Sequence, residues 1–222
     1  MQTTRRALLA GAGTALAATA GCLGSITGGD GGGSSGGGNG GDTDCDLSAR
    51  EPVQSLPAPS MGPDDASVTI MAFEDFACPH CRTYHLEEFP SVESELVGDG
   101  VRYEHHDLPI PVSEQWSWAA AGAARAVQDG ADDAAFFDYA ASLFENQSSY
   151  SMSLVESLAE EIGADGCDVR AAATNGRYRP VLEADRQRGI EMGVEGTPTV
   201  FVNGRQVNAT FDAIQQAVEN AR

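Results

Sequence analysis

Phe73-Glu74-Asp75-Phe76-Ala77-Cys78-Pro79-His80-Cys81-Arg82 decides how this chain is read. Its Cys-x-x-Cys pair follows a β-prone run, Ser67 to Phe73, and opens a helix-like one. Two thiols at that spacing on a helix start can close a small disulfide ring with little backbone movement. Cys78 falls near the N-cap, where unpaired backbone N–H groups and the helix dipole favour a thiolate. Pro79 takes the first helical position, where its missing N–H costs nothing and its φ is already helical. An imidazolium at His80, between the two sulfurs, favours the reduced thiolate form and makes the disulfide a stronger oxidant. The competing reading, a zinc knuckle, needs four ligands, and the chain has no second Cys-x-x-Cys. The expectation is a redox-active Cys78–Cys81 pair that uses no metal and no cofactor.

Working outward, Ser67 to Phe73 is apolar on both faces at its centre, as in the middle of a sheet covered by helices. The helix from Pro79 runs toward Val97, and Pro90 kinks it or ends its first part near Phe89. Gly98-Asp99-Gly100 is a turn, and Val101 to Leu108 reads as the next strand, stopped by Pro109 and Pro111. Strand, helix and strand make a right-handed βαβ unit with the cysteines at the carboxyl end of the first strand, where open α/β sheets place their sites. From about 113 to 193 the pattern is helical, with segments at Trp116 to Val127, from Asp132-Asp133, at Met152 to Ile162 and at Val181 to Met192. Trp116 and Trp118 are expected in core packing. Asn203-Gly204 between two β-prone runs is a hairpin signal, and Phe211 to Ala221 is an amphipathic helix. Before all this, Asp46 to Asp65 is an irregular, proline-containing lead-in with a short strand expected around Val53 to Leu56. The adjacent His105 and His106 point to opposite faces by alternation and read as ordinary strand residues.

The Cys-Pro-His-Cys tetrapeptide resembles that of DsbA-like thiol oxidases, and Phe73 to Pro90 is similar to extracytoplasmic thioredoxin-fold proteins. The resemblance implies an α/β thioredoxin fold, with a multi-helix insertion between the βαβ unit and the C-terminal ββα unit. Gly196-Thr197-Pro198-Thr199 resembles the cis-proline loop of that fold, which lies against the Cys-x-x-Cys helix. There the Thr197 backbone would pair with an extended substrate and orient a target cysteine at Cys78. By the same likeness Cys78 is the exposed thiolate that forms the mixed disulfide, Cys81 resolves it, and a membrane quinone-linked partner reoxidises the pair. One departure stands out: many family members carry an acid six positions before the first cysteine, and here that position is Ala72. Glu74, on the same side by alternation, and Asp75 receive no catalytic role; their charges would raise the thiolate's pKa. The function expected is donation of the Cys78–Cys81 disulfide to reduced or unfolded exported proteins. A reductase or isomerase on the same fold is the nearer alternative, and a metal chaperone using Cys78, Cys81 and a histidine the farther one.

The 222 residues carry 33 acidic and 13 basic side chains, a net charge of −20, and every basic residue is Arg. Such a surface excludes nucleic acid as a partner, since phosphate contacts need a basic face. A lysine-free acidic surface resembles proteins of extreme halophiles, which would make this a haloarchaeal form. Residues 1–22 read as a targeting segment: Arg5-Arg6 and the apolar run to Ala20 resemble a twin-arginine export signal, and Leu16 to Cys22 a lipobox with Cys22 lipidated. Thr19 departs from the usual lipobox, and plain cleavage near Gly21 is the alternative. Residues 23–44 form a Gly/Ser/Asp-rich tether with a typical span of about 25 Å. The expected location is the extracytoplasmic face of the membrane, with the folded domain at 45–222. In an exported protein the remaining Cys45 and Cys167 suggest a structural disulfide, or else a second exchangeable pair. Asn146-Gln147-Ser148 and Asn208-Ala209-Thr210 match N-glycosylation sequons, a pattern that arises often by chance.

Overall fold

The structure, a computed structural model, describes residues 45–222. The stretches read as an export signal with Cys22 and as a tether, residues 1–22 and 23–44, lie outside the described residues. β2 (Val68–Glu74) runs parallel to β3 (Val101–Asp107) and antiparallel to β4 (Thr199–Val202). β5 (Arg205–Val207) extends the sheet beyond β4, and the short β1 (Ser60–Met61) pairs with the far edge of β3. The order β1-β3-β2-β4-β5, with its helical insertion between β3 and β4, is the thioredoxin-like α/β architecture expected. The strand around Val53 to Leu56 does not form. The Val53 N–H instead donates to the Arg177 carbonyl, 2.9 Å away, so this part of the lead-in is pinned to the helices rather than to the sheet. The lead-in's strand is β1, past Pro59.

The register places the site. Phe73 lies opposite His106 on one side and Thr199 on the other, so the carboxyl end of β2 meets the amino end of β4. The loop carrying the cysteines therefore emerges beside the Thr197-Pro198 loop, whose peptide bond is cis. In the β4–β5 hairpin Asn203 and Gly204 both take left-handed backbone angles, φ 45° and 77°, as a two-residue mirror-type turn requires.

Pro90 acts a few residues upstream of itself. α1 (Pro79–Thr83) passes into a π-helical turn over Tyr84–Glu88, and α2 (Phe89–Leu96) follows with Pro90 in its first turn. The Phe89 N–H reaches back five residues to the Tyr84 carbonyl, widening the helix where proline cannot donate.

The insertion comprises α3 (Trp116–Gly130), α4 (Asp133–Glu145), α5 (Met152–Glu161), α6 (Gly166–Asn175) and α7 (Arg179–Glu191). Asp132, Ser151 and Asp165 cap α4, α5 and α6 through their side chains. α7 approaches the back of the sheet closely at Gly189, where an added Cβ would meet Leu108 at 2.6 Å and Phe73 at 3.2 Å. α8 (Phe211–Ala221) closes the chain, burying Ile214 and Val218. Trp116 and Trp118 sit at the rim of the core rather than within it, Trp118 beneath the Arg179 guanidinium and Trp116 against Tyr150. Among the described residues no helix is long and apolar enough to cross a membrane.

Candidate active site

Cys78 is the N-cap of α1, with extended backbone (φ −82°, ψ 121°), and Pro79 opens the helix. The turn before it is tied down internally: the Cys78 N–H donates to the Asp75 carbonyl at 2.9 Å, and the Ala77 N–H to Asp75 Oδ1 at 2.7 Å. Asp75 Oδ2 accepts from the Ile110 N–H at 2.8 Å, so this buried carboxyl joins the cysteine loop to the loop after β3. Asp75 is thus a turn-maker, and burial raises its pKa.

Both sulfurs are thiols in this structure. Cys78 Sγ donates to the Thr197 carbonyl at 3.4 Å, so the structure brings together Cys78, Cys81, Thr197 and Pro198 as the spacing and the resemblance suggested. Cys81, a turn deeper, is fully buried and accepts from the Asp75 N–H at 3.3 Å. The two thiols are driven apart electrostatically. A hydrogen bond from Cys81 lowers the Cys78 pKa to about 5 against the cost of burial, helped by Thr197 and by the backbone N–H groups of Cys81 and His80. Burial, the Cys78 contact and the Glu74 charge push Cys81 upward.

Two expectations change. Cys78 is only 4% exposed, not an open thiolate, because the Thr197 loop and the insertion enclose it. His80 is exposed on α1, and what it brings to the sulfur is its backbone N–H.

Glu74 is fully buried beneath the pair, two residues on from Ala72 and on the same face. Its carboxylate accepts from Tyr103 at 3.3 Å and lies 3.4 Å from His105 Nδ1 and 3.7 Å from His85 Nδ1. Burial opposes its ionisation, yet the two imidazoles lower its pKa to about 2. His105 also faces Asp107 at 3.3 Å, and against the cost of burial the two carboxylates raise its pKa to about 9. From Asp107 the chain of alternating charge continues through Arg125 (2.6 Å) to Asp185 (2.5 Å), then to His106 (3.0 Å) and Glu104. His105 and His106 point to opposite faces as alternation requires, but neither is an ordinary strand residue: each is clamped between two acids.

Cys45 and Cys167 are bonded through their sulfurs, with Cα atoms 5.2 Å apart, fastening the lead-in to the first turn of α6. With Glu156 they form the one group of three metal-type donors among the described residues. Their sulfurs are engaged with each other, and Cys78, Cys81 and a histidine do not converge in that way. Of the two sequon asparagines, Asn208 is exposed, whereas Asn146 is half-buried with its amide nitrogen bonded to the Ser142 carbonyl at 3.0 Å.

Sequence reasoning missed Gln147 and Tyr150, whose side chains bond the carbonyls of the cysteine loop, together with the buried His85, Asp107 and Arg125 and the half-buried Asp185. Alternation along β2 pointed to Glu74's face; nothing local marked the others.

A family model described as thioredoxin matches residues 55–220. Among curated proteins the chain is similar to "Probable disulfide bond formation protein D" of Bacillus cereus, with 29% identity over 169 residues covering 72% of this chain and 76% of that protein. Among solved structures it is similar to oxidised BdbD from Bacillus subtilis, with TM-score 0.68, 24% identity, and 78% and 98% of the two chains covered. The DsbA of Chlamydia trachomatis gives TM-score 0.66, 20% identity and coverages of 78% and 95%. At these identities the two structures speak for the fold.

Proposed function

The chain belongs to the thioredoxin family and is a thiol–disulfide oxidoreductase, and we propose that it works as an exported, lipid-anchored oxidase that donates the Cys78–Cys81 disulfide to reduced proteins. The cysteine pair carries the chemistry, with no separate cofactor. The observation that supports the oxidase direction is the split between the two thiols, Cys78 lowered to about 5 and Cys81 raised. A stabilised thiolate favours the reduced pair, and therefore makes the disulfide a ready oxidant.

A substrate thiolate attacks Cys78 Sγ; the Cys78–Cys81 bond breaks and Cys81 leaves with the electron pair, taking up a proton. A second substrate thiolate then attacks the substrate sulfur of the mixed disulfide, and Cys78 departs as a thiolate. The substrate has lost two electrons and the pair has gained them. The Thr197 carbonyl, beside Cys78, offers an extended substrate a backbone partner. The His80 N–H supports the departing thiolate, and the His80 side chain stands exposed in the first turn of α1. Each turnover leaves the pair reduced, so a reoxidant is required, and a membrane quinone-linked partner suits an enzyme tethered through Cys22. The acidic, lysine-free composition supports operation in concentrated salt.

The test is oxidative refolding of a reduced two-cysteine protein in multi-molar KCl, with the oxidised enzyme in catalytic amount and a quinone-coupled membrane fraction present. Turnover beyond one disulfide per enzyme supports the reading. Reduction or reshuffling of the substrate's disulfides instead would make the protein a reductase or isomerase.

A further inference from the structure

The helical insertion hydrogen-bonds the carbonyls of the cysteine loop from the segment that follows α4. Gln147, in the short 3-10 turn after α4, donates from Nε2 to the carbonyls of Phe76 and Cys78, both at 2.9 Å. Two carbonyl oxygens at that distance can accept only from the nitrogen, so the amide's orientation is determined and both its N–H groups are used. Three residues on, the Tyr150 hydroxyl lies 3.0 Å from the Phe76 carbonyl and 3.0 Å from that of Leu143. Its single hydrogen serves one of them at a time, so the Phe76 carbonyl depends on Gln147. The Tyr150 ring is held in turn by Trp116, 5.3 Å between centroids.

These contacts add carbonyl partners to a cysteine loop whose N–H groups are already engaged within it. Its N–H groups at Ala77 and Cys78 go to Asp75, and its carbonyls at Phe76 and Cys78 go to the insertion. The Cys78 carbonyl also accepts the first helical bond, from the Arg82 N–H at 3.1 Å. Carbonyl dipoles aimed into the space around a thiolate disfavour it, and donors that hold those carbonyls offset the effect.

We propose that Gln147, seconded by Tyr150, is a positioning residue for disulfide exchange: it fixes the Phe76 and Cys78 carbonyls and thereby helps set the acidity of the Cys78 thiol. The insertion then tunes the pair, as well as covering it. The proposal rests on the oxidoreductase reading and adds to it a residue that touches neither sulfur nor substrate.

The experiment follows thiolate absorbance and alkylation rate of Cys78 against pH in the full chain, with thermal unfolding recorded in parallel. Gln147→Leu keeps the bulk and removes the donors. A lost hydrogen bond of ordinary net strength corresponds to a rise of roughly half to one pKa unit. Alkylation below the wild-type midpoint should then slow by about three- to tenfold, with rates above pH 8 unchanged. A folded Gln147→Leu protein with the wild-type titration overturns the proposal. Should that variant fail to fold, Tyr150→Phe, which keeps the ring against Trp116, must shift the midpoint in the same direction by a smaller amount; no shift there overturns it equally. Wild-type protein that exchanges no disulfide with glutathione would remove the oxidoreductase reading and this proposal together, whereas wild-type exchange with unchanged variants removes the proposal alone.

Discussion

The sulfur of Cys78 lies 3.4 Å from the backbone carbonyl of Thr197, a residue 119 positions away in sequence. That contact joins the end of the first central strand to the start of the fourth, and it leaves Cys78 only 4% exposed. Cys81, fully buried, is out of an incoming sulfur's reach.

The two cysteines should accordingly differ when replaced singly. Cys81→Ser should accumulate a mixed disulfide at Cys78 when its thiolate attacks an oxidised substrate, because the enzyme's own route out of that adduct, attack by Cys81, is gone. Cys78→Ser should accumulate none. Non-reducing electrophoresis with peptide mapping reads the outcome, and adducts on Cys81 in the second variant would contradict the assigned roles.

The buried acid and imidazole beneath the pair set a pH window for stability. The folded-state pKa of His105 is raised from 6.5 to about 9, so its contribution is fully present below 6.5 and is lost as pH rises through about 9. That of Glu74 is lowered from 4.5 to about 2, so its contribution is present above 4.5 and is lost as pH falls through about 2. In the oxidised protein, whose active-site thiols do not titrate, the thermal midpoint should be highest between pH 4.5 and 6.5 and fall toward pH 9. His105→Gln should flatten the alkaline limb. The lowered Cys78 pKa works the other way, so the reduced form should gain on the oxidised one as pH rises from about 5 to 9.

Arg125 is fully buried and bonds Asp107, Asp185, the Pro57 carbonyl and Gln128, tying the lead-in, β3, α3 and α7 together. Arg125→Met removes the guanidinium from Asp107 and Asp185, leaving each with one histidine. Breaking a buried pair on one side typically destabilises by about 3–5 kcal/mol. Chemical denaturation measures it, and a loss below about 1 kcal/mol would show the acids to be otherwise satisfied.

The Cys45–Cys167 bridge spans 122 positions, so the chain-entropy argument assigns it on the order of 4–5 kcal/mol. The Cys45→Ser/Cys167→Ser protein should unfold at lower denaturant while keeping the wild-type reduction potential at Cys78–Cys81. A shifted potential or lost turnover would mark the bridge as a second exchangeable pair.

What could be read from the sequence was local. The Cys78–Cys81 spacing, Pro79 at the helix start, Asn203-Gly204 in the hairpin and the helical run after Ser113 each carry their structure within a few residues. The Thr197-Pro198 loop was legible through its likeness to known loops, since proline opening a strand has a purely structural use as well. Glu74 was half legible: alternation gave its face, but only tertiary packing brings His85 and His105 to its carboxylate. Gln147 meets the Cys78 carbonyl across 69 positions, and no periodicity or motif marks an amide for that task. The expected strand at Val53 failed for a similar reason, because its N–H found the Arg177 carbonyl instead of a sheet partner.

The reduction potential of the Cys78–Cys81 pair tests the central claim most directly. It would be measured against glutathione in multi-molar KCl, in the Cys45→Ser/Cys167→Ser background so that only this pair reports. An oxidase with a stabilised Cys78 thiolate should lie near about −120 mV. A value near about −270 mV would contradict disulfide donation and make the protein a reductase.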